Sequence, residues 1–140
     1  MLRTLSRPFR PIEVEREPLT FFELASLGQD LKREAEYEES GRSSITLARE
    51  KPVTLVLVAL RKGAVMRDHQ VPSDGALVLL SGRVAFAAET AAAAQELAAG
   101  ALALFAAGLI HRVEALEDSL CLVVIGGRER PPWAPGESAG

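Results

Sequence analysis

The sequence predicts an all-β barrel preceded by one helix, and three observations carry that reading. From Ser44 onward apolar residues alternate with period 2 in short runs, SITLAR, VTLVLVALR, ALVLLSG, GRVAFAAE, GALALF, IHRVEAL and SLCLVVIGG, most of them separated by Gly, Pro, Asp or Ser. Many short strands at this density are the pattern of a sandwich or barrel. Ahead of them apolar residues recur at spacings of three and four, the pattern of a helix. The length, 140 residues, is that of one ordinary domain.

The helix is expected over residues 20–39. Thr20 and Glu23 form a T-x-x-E capping box, with Leu19 and Leu24 placed for a hydrophobic staple. Phe21, Leu24, Leu27, Leu31 and Ala35 then make one apolar stripe. The charged run Lys32 to Glu39 mixes both signs and reads as a solvated face, and Ser40-Gly41 ends the helix. Before it, MLRTLSRPFR carries three arginines and no acid, but no apolar stretch follows and Glu13, Glu15 and Glu17 do. This is read as the N-terminal arm of a cytoplasmic protein.

One segment is contested. Glu89 to Ala99 is alanine-rich, and alanine is the best helix former. It lies between strand-like runs, and Gly100 and Gly108 interrupt the chain just beyond it, so a hairpin with its turn in Thr90 to Ala93 is expected instead. The Pro- and Gly-rich end of the chain reads as a tail, whose only large apolar group, Trp133, is expected to pin it to the barrel wall. The organisation is therefore an arm and helix over 1–43, a barrel over 44–126 and a tail over 127–140.

Composition excludes several classes. Hydrophobic residues make up 48% and charged residues 25%, as in an ordinary globular protein. No run reaches about 18 consecutive apolar residues, so no membrane contact is expected. A net charge of -3 gives no electrostatic case for nucleic acid. A single cysteine, Cys121, excludes an intramolecular disulfide and a cysteine zinc cluster, and without a basic neighbour it reads as a buried apolar residue. No P-loop, dinucleotide fingerprint or G-x-S-x-G elbow is present.

The informative constellation surrounds the chain's two histidines. Gly63, five residues, His69, one residue, Val71, three residues, Gly75, six residues and Gly82 form the first pattern. Gly100, five residues, Ala106, one residue, Gly108, two residues, His111, three residues and Ala115 form the second. These spacings resemble the two signature motifs of the cupin superfamily. The resemblance covers roughly Ser44 to Gly126 and implies a double-stranded β-helix, the jelly-roll cupin barrel. In cupins two histidines and a glutamate of the first motif and one histidine of the second hold a metal inside the barrel. Carried over position by position, His69 and His111 match histidine ligands. Val71 stands where the other histidine belongs and Gly75 where the glutamate belongs. The scaffold glycines Gly63, Gly82, Gly100 and Gly108 are kept, and half the ligands are missing.

Strand alternation gives an interior without the family. If His69 faces inward, so does Val71, and if the run after the turn keeps that face, so do Gly75, Leu77 and Leu79. On the later strand His111, Val113 and Ala115 share a face, with Arg112 and Glu114 opposite. The candidate ligand-binding pocket is His69, Val71, Leu77, Leu79, His111 and Val113, apolar with two polar groups. Two imidazoles fall short of the three protein ligands of a usual catalytic zinc site or the two-histidine, one-carboxylate iron triad. No cofactor is therefore expected, the alternative being one weakly held divalent transition metal on His69 and His111. Asp68 and Asp74 lie one residue off the inward face, and Asp74 is the candidate third ligand against its plainer reading as a turn aspartate bonded to its own backbone. Arg61, Lys62 and Arg67 read as a solvated rim, or as a steering patch for an anion.

The expected role is a non-catalytic small-molecule-binding or regulatory barrel with a partly lost metal site. Its alternative is a metal-dependent cupin enzyme of dioxygenase, isomerase or lyase type using His69 and His111. A homodimer is expected, since strand edges and apolar sheet faces of a small barrel want cover and small cupins commonly pair.

Overall fold

A computed structural model describes residues 19–49, 53–69, 73–89 and 93–126, with the backbone alone at positions 68 and 69. Two short helices lead in, α1 (Leu24–Lys32) and α2 (Ala35–Ser40). Among the described residues nine strands come after them: β1 (Arg42–Arg49), β2 (Val53–Leu60), β3 (Val65–His69), β4 (Gly75–Ser81), β5 (Arg83–Ala88), β6 (Gln95–Ala98), β7 (Leu102–Phe105), β8 (His111–Ala115) and β9 (Ser119–Gly126). They form a five-stranded sheet, β1-β2-β9-β4-β7, and a four-stranded sheet, β3-β8-β5-β6, and every pairing is antiparallel.

Alternation decides what each sheet buries. On the five-stranded sheet Val58 and Leu60 of β2, Leu77 and Leu79 of β4 and Cys121 of β9 face the four-stranded sheet, whose Val84, Leu97, Val113 and Ala115 meet them. This is the barrel interior. The other face of the same sheet is also apolar: Ile45 and Leu47, Leu57 and Ala59 pack under Leu27, Leu31 and Tyr37 of the helices. At the far side of this layer the two δ-carbons of Leu120 lie against Gly28 of α1.

The expected single helix over 20–39 is corrected to two. Glu23, not Thr20, is the N-cap residue, and its side chain makes no capping bond. Starting at Leu24 packs Phe22 against the outer layer and leaves Phe21 84% exposed. The chain breaks after Lys32: Arg33 and Glu34 return their amides to the carbonyls of Asp30 and Leu31, and Glu34 is extended. The Glu34 carboxylate accepts a 2.7 Å hydrogen bond from the Ser43 hydroxyl. A continuous helix would present Ala35 to the sheet; the break presents Tyr37, which is buried. Burial, and then the Asp118 carboxylate, raise the Tyr37 pKa, which Arg61 partly offsets. Gly41 ends α2 in the left-handed conformation, as the Ser40-Gly41 pair suggested.

The Ala-rich segment is a hairpin. β5 pairs with β6 from Arg83↔Ala98 to Phe86↔Gln95, so strand pairing overrides alanine's helix propensity. Residues 90–92 of the expected turn lie outside the described residues. β3 and β6 were not among the alternating runs, because VMRDH and QELA carry too little apolar rhythm. The N-terminal arm to residue 18 and the tail with Trp133 also lie outside the described residues.

All four motif glycines, Gly63, Gly82, Gly100 and Gly108, have positive φ. At Gly82 space is short as well: a Cβ would land on the Asp118 carbonyl and the Ser119 hydroxyl. That hydroxyl accepts from the Arg83 amide at 3.1 Å and donates its one proton to the Glu117 carbonyl at 2.7 Å, with the Arg83 carbonyl 3.1 Å away. At Gly100 a Cβ would meet nothing within 4 Å. Urea unfolding should therefore separate them. Gly100→Ala is expected to cost about 1–2 kcal/mol of backbone strain, and Gly82→Ala to cost more than about 2 kcal/mol because collision adds to strain.

Candidate functional site

The site lies in the half of the barrel where β8 begins. His111 is 3% exposed, and Val113 and Ala115 continue inward after it while Arg112 and Glu114 are exposed, as alternation required. Leu77 and Leu79 are buried on β4 as expected. The backbone of His69 pairs with that of His111, after a bulge between Met66 and His69. The two histidine positions of the sequence pattern thus become register partners. The side chains of His69 and Asp68, and the whole of Val71, lie outside the described residues.

His111 is held by a backbone group and two rings. Its Nδ1 is 3.0 Å from the Leu109 carbonyl oxygen. A carbonyl only accepts, so Nδ1 carries the proton and Nε2 is the basic nitrogen of the neutral ring. The Phe86 ring stacks on the imidazole at 5.2 Å between centroids and 8° between planes. Phe105 lies tilted against it at 4.6 Å, and the two phenyl rings are 6.2 Å apart. Neither phenylalanine was singled out by the sequence pattern. The available signal was register: Phe86 lies two residues beyond the interior residue Val84 on β5, and Phe105 faces Gly75 across β4 and β7.

Gly75 is the decisive position. A Cβ there would lie 2.6 Å from Phe105 Cε1, 2.7 Å from Phe105 Cζ and 3.0 Å from the Val124 carbonyl oxygen. The ring of Phe105 therefore occupies the room a side chain at 75 would need. The metal implied by the resemblance fails this test of fit. Its carboxylate position has no side chain and a phenyl ring in its place, and His111 is clustered with two phenyl rings that also touch each other. Among the described residues no three His, Cys, Asp or Glu side chains come together.

Asp74, the candidate third ligand, is exposed and its Oδ1 accepts a 2.9 Å hydrogen bond from the Ala107 amide. The β4–β7 pairing brings the 106–108 turn alongside it. Its carbonyl accepts from the Gly126 amide at 2.9 Å. Two members of the basic trio lie at the other end of β8 from His111. Arg61 donates to the Tyr37 and Glu38 carbonyls at 3.2 Å, and the Lys62 amide bonds to Asp118. Both sit beside the end of β8 at Ala115, where Gly63 donates to the Ala115 carbonyl, and away from His111.

No protein-family model matches the chain, and no curated protein matches it. Solved structures do. KdgF from Halomonas sp. is 24% identical with a TM-score of 0.58, over 63% of this chain and 80% of that one. An RmlC-like cupin family protein with a double-stranded β-helix fold from Methanocaldococcus jannaschii is 14% identical with a TM-score of 0.59, over 64% and 84%. The DMSP lyase DddQ from Ruegeria pomeroyi DSS-3 is 19% identical with a TM-score of 0.59, over 71% and 53%. The chain is a cupin-fold protein, a double-stranded β-helix.

Cys121 is fully buried in the interior, and burial pushes its thiol from 9.0 up to about 12. The native thiol is thus protonated and shielded at neutral pH. It should resist Ellman's reagent at pH 8 in buffer and react fully in denaturant. Because the folded pKa is raised, its contribution to stability is complete below pH 9.0 and is lost as pH rises toward about 12. Over that window Cys121→Ala should flatten the alkaline fall in stability, whose slope from one such group is at most about 1.4 kcal/mol per pH unit.

Proposed function

We propose that this cupin-fold protein is a non-catalytic barrel that binds a small, largely apolar molecule or serves a regulatory role, and that it has lost the metal site of its fold. One observation carries the reading: the Phe105 ring fills the place of a side chain at position 75 and packs on His111. A ligand would meet Phe86, which is only partly buried, with Leu77 and Val113 as apolar wall and the His111 imidazole as polar contact. Apolar walls with few polar groups suit orientation of a small molecule. The same set supplies no nucleophile and no carboxylate–imidazole pair among the described residues.

An enzymatic reading keeps one specific support. His111 is buried and has the Nδ1–H to carbonyl anchoring that orients histidine ligands, and its register partner is a second histidine. A metal-dependent activity would require His69, His111 and a third donor that the described residues do not offer.

Elemental analysis of untagged protein decides between them. Well under one equivalent of transition metal is expected. Near one equivalent, lost in both His69→Ala and His111→Ala, would give the enzymatic reading first place. A thermal-shift screen of small apolar acids and neutral compounds tests binding, since a ligand at 100 times its Kd adds about 2.7 kcal/mol of stability. The shift is expected to disappear in Phe86→Ala.

The ring exchange has its own test. Gly75→Glu alone should destabilise by about 1–3 kcal/mol through overpacking, and Phe105→Ala alone by about 3–5 kcal/mol through the cavity it leaves. Combined, the losses should fall short of their sum by more than about 0.5 kcal/mol, because each change makes room for or fills the other. Urea unfolding of the four chains reads this coupling; additive losses would show that Phe105 does not occupy the position-75 space.

A further inference from the structure

The five-stranded sheet has an outer face that its helices cover only in part. α1 and α2 lie over β1, β2 and Leu120. Across the rest of that face, Val124 of β9 pairs with Ala76 of β4 and Ala76 with Leu104 of β7, while Val78 pairs with Leu102. These side chains point away from the interior, because their neighbours Leu77, Leu79, Ala103 and Val123 belong to it. Leu102 is 55% exposed and Leu104 is 78% exposed, and among the described residues no charged or polar side chain of these strands interrupts the group.

We propose that the segment 127–140 folds back across β4 and seats Trp133 on this patch, against Leu102 and Leu104. Three arguments select this occupant. The first is reach. Gly126 ends β9 beside the start of β4, where its amide bonds the Asp74 carbonyl. β7 lies two strands away, about 10 Å at the usual strand spacing. Trp133 lies seven residues beyond Gly126, a span of up to about 23 Å. The second is chemistry. Trp133 is flanked by Pro131, Pro132 and Pro135. Proline has no amide donor, so such a segment lies on a sheet face without needing ladder partners. The third is size. A few aliphatic side chains match one indole, whereas a standard interface takes about 20–30 residues from each partner, which makes a second copy of the chain the poorer fit.

Trp133 is the chain's single tryptophan, so its fluorescence reports this contact directly. In the full chain the emission should be blue-shifted relative to the denatured chain, shielded from acrylamide and independent of protein concentration. The double change Leu102→Ser with Leu104→Ser should shift it to the red and raise the quenching constant. Leu19→Ser, at a leucine exposed elsewhere, should change neither. Leu104→Ser alone repeats the test if the double change perturbs the strand signal in circular dichroism. Emission quenched as freely in the native chain as in denaturant, or indifferent to Leu104, overturns the proposal. A blue shift that appears only as concentration rises also overturns it and assigns the patch to a second copy.

Discussion

The five-stranded sheet is apolar on both faces, and the remaining architecture answers that constraint. A sheet of this kind must be covered twice. The four-stranded sheet closes over Leu77, Leu79 and Cys121, and the two helices close over Ile45, Leu47 and Leu57. The helices therefore form the barrel's outer layer over β1 and β2 and leave the β4–β7 side of that face uncovered by them. Their break at Arg33 and Glu34 exists because a straight helix would bring Ala35 down where Tyr37 now fills the space.

The interior shows how a shared fold can part from a shared chemistry. The turns that shape the barrel need glycine, and those glycines remain. The donors that would hold a metal are a separate matter, and at position 75 a ring from the neighbouring strand has taken the room. A ring seated against a glycine in this way keeps the packing dense there. His111 stands in this setting as a buried imidazole tethered to the Leu109 carbonyl and clustered with Phe86 and Phe105.

The fold was legible because its signals are local. Alternation located seven runs, the four scaffold glycines marked left-handed turns, and Gly100 and Gly108 outweighed the alanines of the β5–β6 hairpin. What escaped depends on contacts between distant segments. VMRDH becomes β3 through pairing with β8, and no periodicity in those five residues announces it. The capping box at Thr20 is a local pattern that lost to the burial of Phe22. At the site, His111, Leu77, Leu79 and Val113 were named correctly as interior positions. Phe105 was not, because its importance comes from facing a glycine about thirty residues away. The bond between Asp74 and the Ala107 amide likewise depends on β4–β7 pairing and has no local signal.

The position of β9 carries a consequence for how the chain assembles. β9 lies between β2 and β4 and bonds to both, from Leu55↔Val124 on one side to Ala76↔Val124 on the other. On a ribosome β2 and β4 emerge well before the strand that joins them, and the loop to be closed from β2 to β9 runs through most of the barrel. Closure of so long a loop is entropically slow, and until it happens two apolar strand edges stand open. The nascent barrel thus passes through a stage in which its central seam is missing. Its yield in a cell would then depend on the interval between synthesis of β4 and synthesis of β9 as well as on the stability of the finished fold.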